Sequence, residues 1–82
     1  MSNVDDNRAK QVLSQNVKRL LAERGWSVRQ LARATDDPVM TIHALVSGKN
    51  LPKAGVLVRV ADALGVAIDD LFEARRKSAN SA

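Results

Sequence analysis

Ser27-Val28-Arg29-Gln30-Leu31-Ala32-Arg33-Ala34-Thr35-Asp36-Asp37-Pro38-Val39-Met40-Thr41-Ile42-His43-Ala44-Leu45-Val46-Ser47-Gly48-Lys49 decides the fold, because it encodes two helices and the short connection between them. Ser27 and Gln30 have the spacing of a capping box, in which each side chain accepts the other residue's backbone N–H. Trp26 and Leu31 occupy the flanking hydrophobic-staple positions. A helix over Val28–Ala34 follows, with Val28, Leu31, Ala32 and Thr35 on one face. Thr35-Asp36 then connects it to a new start signal, Asp37-Pro38. There the aspartate reads as an N-cap and the proline as a first-turn residue whose missing N–H costs nothing. The next helix, Pro38–Ser47, turns Ile42, Leu45 and Val46 inward and stops at Gly48.

Helical spacing continues on both sides. Upstream, Leu13, Val17, Leu20 and Leu21 mark a helix that starts between Asp5 and Arg8 and stops at Gly25. Downstream, the loop Lys49-Asn50-Leu51-Pro52 leads to a helix facing inward through Leu57, Val60, Ala61 and Leu64, with Gly65 as its end. Ile68-Asp69-Asp70-Leu71-Phe72 forms a last short helix, whose two acids suit its positive N-terminal turn. No stretch alternates with period two, and no segment repeats. The expected architecture is all-α: five short helices around one core over residues 8–74, after an N-terminal extension 1–7 and before a basic, fraying tail 75–82.

Composition narrows the function. The chain has 82 residues, no cysteine, one histidine and a formal net charge of +4. A core of this size buries roughly 60% or more of the unfolded chain's surface but leaves no room for a deep cofactor pocket. Disulfides and thiolate metal sites are excluded, and His43 alone assembles neither a metal cluster nor a nucleophile–base pair. No enzyme, cofactor or metal is therefore expected. No 18-residue apolar run exists, so no membrane span is expected. Met1–Asp6 is acidic without an apolar stretch, so a cytoplasmic location is expected rather than secretion. From Arg8 to Arg59, ten Lys/Arg stand against Glu23, Asp36 and Asp37, a net of +7. Such a span suits nucleic acid, though a plain solvated surface accounts for it too.

A connection this short between two helices suits a helix-turn-helix. The series Leu31-Ala32-Arg33-Ala34-Thr35, Thr41-Ile42-His43-Ala44-Leu45-Val46-Ser47-Gly48-Lys49 and Val60-Ala61-Asp62-Ala63-Leu64-Gly65-Val66-Ala67-Ile68-Asp69-Asp70-Leu71-Phe72 resembles the Cro, lambda-repressor and XRE family of regulators, without gaps from about Val17 to Phe72. The resemblance implies a compact five-helix lambda-repressor-like domain. It also implies sequence-specific binding of double-stranded DNA, usually by a homodimer, with the second paired helix in the major groove and the first across the backbone. The chain departs from the family pattern at Val28, where a glutamine is common. It departs again at Asp36 and Asp37, where a glycine and an apolar residue are more usual.

Helical geometry turns Met40, His43, Ala44 and Ser47 outward when Ile42, Leu45 and Val46 face in, with Val39 and Thr41 at the edges. Base contacts are therefore expected from Val39, Met40, Thr41, His43, Ala44 and, beyond the helix, Asn50. This face has no Arg, Lys, Gln or Asn for bidentate pairing, so Met40 and Ala44 would touch thymine methyls and His43 would donate to guanine. Phosphate contacts are expected from Arg29, Arg33, Ser47, Lys49 and Lys53. Lys53 opposes the dipole at the start of the fourth helix and lacks a Ser/Thr/Asp cap, a conflict that a bound phosphate would resolve. Ile68, Leu71 and Arg75 are expected at a dimer interface, with Val66 or Val58 as additions. Two further readings use the same residues: an antitoxin or restriction-system controller, whose protein partner would be a toxin in the first case, and a helical protein-interaction module working through Met40 and Ala44.

Overall fold

Five helices follow one another in a computed structural model that describes residues 4–74: α1 (Val4–Arg24), α2 (Val28–Thr35), α3 (Val39–Val46), α4 (Ala54–Leu64) and α5 (Ile68–Leu71). Among the described residues there is no strand, as helical periodicity predicts. Each helix contributes to one core: Leu13, Val17, Leu20 and Leu21 from α1, Leu31 and Ala32 from α2, and Ile42, Leu45 and Val46 from α3. Val56, Val60, Ala61 and Leu64 of α4 and Leu71 of α5 complete it. Burying a leucine or isoleucine fully contributes about 1.5–3 kcal/mol. The four residues of α5 could not hold a helix without that packing.

Local signals behave as their chemistry demands. Ser27 Oγ accepts from Gln30 N–H at 3.1 Å, and Gln30 Oε1 accepts from Ser27 N–H at 2.7 Å, which closes the capping box. Trp26 packs half-buried against the core beside it. Asp70 reaches back to accept the Ala67 N–H at 3.0 Å, so this acid caps α5 as well as complementing its dipole.

The start of α3 differs from expectation. Asp36 takes the left-handed conformation (φ 61°) that closes α2. Asp36 and Asp37 donate their N–H groups back to the carbonyls of Arg33 (3.3 Å) and Ala32 (3.1 Å), a Schellman-type ending. Both aspartates thus belong to the end of α2. Pro38, extended at φ −61° and ψ 142°, becomes the N-cap of α3 and offers no side-chain cap. Asp37 is not the cap; its carboxylate turns to Arg59.

Three other expectations need correction. On α4, Val56 joins Val60, Ala61 and Leu64 in the core at helical spacing, and Leu57 is only half-buried at the edge of that face. Helix α1 already runs from Val4, ahead of the start expected between Asp5 and Arg8. Leu71 lies wholly inside the chain's own core and has no surface left for a dimer contact.

Two buried polar residues of α1 join the ends of other helices to it. Ser14 Oγ donates to the Val46 carbonyl at the end of α3 at 2.5 Å. Asn16 Nδ2 donates to the carbonyls of Leu71 (2.8 Å), Glu73 (3.0 Å) and Asp70 (3.3 Å) and so closes the end of α5. Arg24 also donates to the Leu64 carbonyl at the end of α4. Orphan carbonyls at three helix ends are satisfied by α1, which makes it the frame on which the rest is hung.

Candidate functional site

Helix α3 forms a ridge with an open groove along each side. The first groove is lined by Arg29, Ala32 and Arg33 of α2, the turn residues Asp36–Pro38, and Val39. The second is lined by Asp37, Met40, Thr41, Ala44 and Leu45, the loop Asn50–Lys53, and Val56. Cations therefore stand on both flanks of the ridge: Arg29 and Arg33 on one, Lys53 on the other.

The ridge is mostly apolar. Met40 is 83% exposed and Val39 44% exposed, while His43 and Ser47 are exposed and Thr41 and Ala44 half-buried. Val39 thus stands further out than an edge position implies. Ser47 Oγ donates to the Ala44 carbonyl at 3.2 Å, which uses its proton within the helix and leaves its oxygen free to accept.

Lys49 owes its place to Gly48. Gly48 adopts φ +78°, a conformation that side chains resist, and this lets the Lys49 N–H return to the Ala44 carbonyl at 3.0 Å. The lysine is thereby fixed directly beyond α3, exposed, as is Asn50 in the loop that follows. Lys53 occupies the N-cap of α4 without a side-chain cap, as its sequence suggests.

The aspartates at the turn are not equivalent. Asp37 is enclosed, its side chain 7% exposed, and Arg59 grips it through two hydrogen bonds. That hydrogen bonding holds its carboxyl below the usual range, against the opposing effect of burial. The pair is neutral toward any ligand of the ridge, so Arg59 leaves the count of free cations. Asp36 stays exposed and lines the same groove as Arg29 and Arg33. Sequence reasoning had no means to see the Arg59–Asp37 contact, whose partners lie 22 residues apart, one in the α2–α3 turn and the other on α4. Ser14 and Asn16 did leave a signal: both abut the Leu13/Val17/Leu20/Leu21 stripe at helical angles, where a short polar side chain is drawn inside.

The expected dimer residues separate. Ile68 is exposed, Leu71 is buried, and Arg75, with the rest of tail 75–82, lies outside the described residues. Val58 is 52% exposed on α4 and Val66 half-buried. Among the described residues no group of three or more His, Asp or Glu is placed to hold a metal, and no helix is long and apolar enough to cross a membrane.

Comparison with known proteins agrees with this arrangement. The family model of the Cro/C1-type HTH DNA-binding domain matches residues 16–77. The crystal structure of a hypothetical transcription factor, NHTF, from Neisseria superposes with a TM-score of 0.79 at 26% identity, covering 94% of this chain and 86% of that one. No curated protein matches the chain.

Proposed function

Because the chain belongs to the family of Cro/C1-type helix-turn-helix DNA-binding domains, we propose that it is a transcriptional regulator that binds an operator as a homodimer, with α3 in the major groove. The similarity to the Neisseria transcription factor supports the regulatory part of this reading. The observation that carries it is the ridge itself: an exposed helix flanked by Arg29 and Arg33 on one side and Lys53 on the other, with Lys49 directly beyond its end. A helix about 10–12 Å across fits a groove about 12 Å wide, and the flanking cations then meet the phosphates on its rims. Helix α2 crosses the backbone, with Arg29 and Arg33 on its exposed side.

One such helix spans only a few base pairs, and two copies on half-sites one turn apart, about 34 Å, extend the reading. The surface proposed for pairing is the exposed part of α4 and α5, Val58 and Ile68, in place of the buried Leu71. Cytoplasmic action follows from an operator as target. The exposure of Met40 favours one second reading, an α3 face that meets a protein such as a toxin.

Mobility shifts with the full chain on a random duplex pool, at two salt concentrations, test the proposal. Retention of a subset of sequences, weakened by salt, supports it. An absence of binding at low salt overturns it and leaves the α3 face to a protein partner.

A further inference from the structure

The chemistry of the α3 ridge restricts what it can read. In the major groove, purines are distinguished by bidentate hydrogen bonds, Arg or Lys to guanine and Asn or Gln to adenine, and thymine by its C5-methyl group. The ridge has no guanidinium, ammonium or carboxamide, and the hydroxyl proton of Ser47 is committed to the Ala44 carbonyl. It presents instead the apolar side chains of Val39, Met40 and Ala44. These lie within about 7.5 Å along the helix axis, about two base-pair steps of 3.4 Å. Met40 is unbranched and adaptable, which suits it to follow a methyl group at the groove floor.

We propose that Val39, Met40 and Ala44 discriminate bases by pyrimidine C5-methyl groups, and that the protein accepts 5-methylcytosine in place of thymine better than it accepts cytosine. The inference rests on the proposed docking of α3 in the major groove. Thymine and 5-methylcytosine carry the same methyl at the same ring position. They differ at C4, where one has a carbonyl acceptor and the other an amino donor. Only a hydrogen-bonding side chain reads that difference, and none projects from positions 39, 40 or 44. Opposite these residues the order of preference is thymine with 5-methylcytosine, then uracil with cytosine.

The test uses the full chain and the best duplex from a random-sequence selection, at one fixed salt concentration. Each thymine of a half-site is replaced in turn by uracil, with adenine kept opposite, and by cytosine or 5-methylcytosine, with guanine placed opposite, and affinity is read by fluorescence anisotropy. At two or three positions uracil and cytosine each weaken binding about fourfold, the effect of uncovering one methyl-sized apolar group, and 5-methylcytosine restores it. Met40→Ala abolishes the penalty at one of those positions and leaves the salt dependence unchanged; its side chain is exposed, so the fold is preserved. Uracil binding as well as thymine at every position, while His43→Ala or Lys49→Ala still weakens the complex, overturns the methyl reading and spares the docking. A selected half-site without thymine does the same. Failure to select any duplex removes both, in favour of a protein at Met40.

Discussion

The guanidinium of Arg59 on α4 holds the carboxylate of Asp37, at the α2–α3 turn, through Nη2–Oδ1 and Nε–Oδ2 hydrogen bonds of 2.7 and 3.1 Å. Paired, planar contacts of this kind are stronger and more directional than single ones. This one fastens the turn of the helix-turn-helix to the helix behind it. It also cancels a negative charge that lines both grooves beside α3.

The pairing has a pH signature. The Asp37 carboxyl is held below its ordinary value, first by the Arg59 hydrogen bonds. A depressed folded-state pKa stabilises the fold fully above the unfolded value of about 3.9, and that contribution disappears as pH falls through the folded value. Asp37→Asn therefore lowers the urea midpoint at pH 7, and the gap from the parent closes below about pH 4. A gap unchanged between pH 7 and pH 3 would show that the charge of Asp37 contributes nothing.

Asp36 supplies the opposite case. It bears φ 61° at a position where glycine is the unstrained choice, and it stands exposed in the groove that Arg29 and Arg33 also line. Asp36→Gly should raise stability by up to about 1 kcal/mol. It should also tighten binding to every DNA sequence alike, by removing a charge that repels phosphate. Calorimetry and mobility shifts on unrelated duplexes measure the two effects.

Phosphate contact by Lys49 predicts a change in slope, not merely in affinity. Each neutralised phosphate contributes about −0.9 to the dependence of log K on log salt. Lys49→Ala should make the slope shallower by about one and weaken all sequences to a similar degree. An unchanged slope removes Lys49 from the interface.

Ile68 and Leu71 separate assembly from folding. Ile68→Asp, on the surface, should convert a dimer to monomer in sedimentation while leaving helix content intact. Leu71→Ala, in the core, should cost about 2–5 kcal/mol of stability. If Ile68→Asp sediments like the parent, pairing uses another surface.

Asn16 should matter to stability beyond its size. Asn16→Ala leaves the carbonyls at the end of α5 without their shared donor and should cost about 1–3 kcal/mol. For a domain of this length that corresponds to a fall in Tm of about 4–8 °C per kcal/mol. Hydrogen exchange should quicken first in α5, which has only four residues.

What could be read in advance follows a physical division. The five helices and the capping box at Ser27 and Gln30 depend on short-range rules, and the core stripe of α1 depends on period alone. The α3 start was misassigned because Asp37-Pro38 satisfies two local rules at once: an N-cap before proline, and the closing residue of the preceding helix. Only the backbone bond from Asp37 to Ala32 decides between them. Val56 and Leu57 are adjacent and both apolar, so each fits the spacing set by Val60, Ala61 and Leu64, and only packing decides which lies deeper. The exposed face of α3 was legible once its buried face was known. The flanking grooves were not, because they arise where α2, α3 and the loop at Asn50–Lys53 come together.

The hydroxyl of Ser14, bonded to the last carbonyl of α3, acts on how α3 is aimed. Eight residues make a rod of about 12 Å, so a slip of about 1 Å at its far end swings it by roughly 5°. With α3 docked as proposed, a swing of that kind would move Met40 relative to the groove floor. On the proposed docking, the aim of the reading helix would thus be set partly from behind, by a serine on α1.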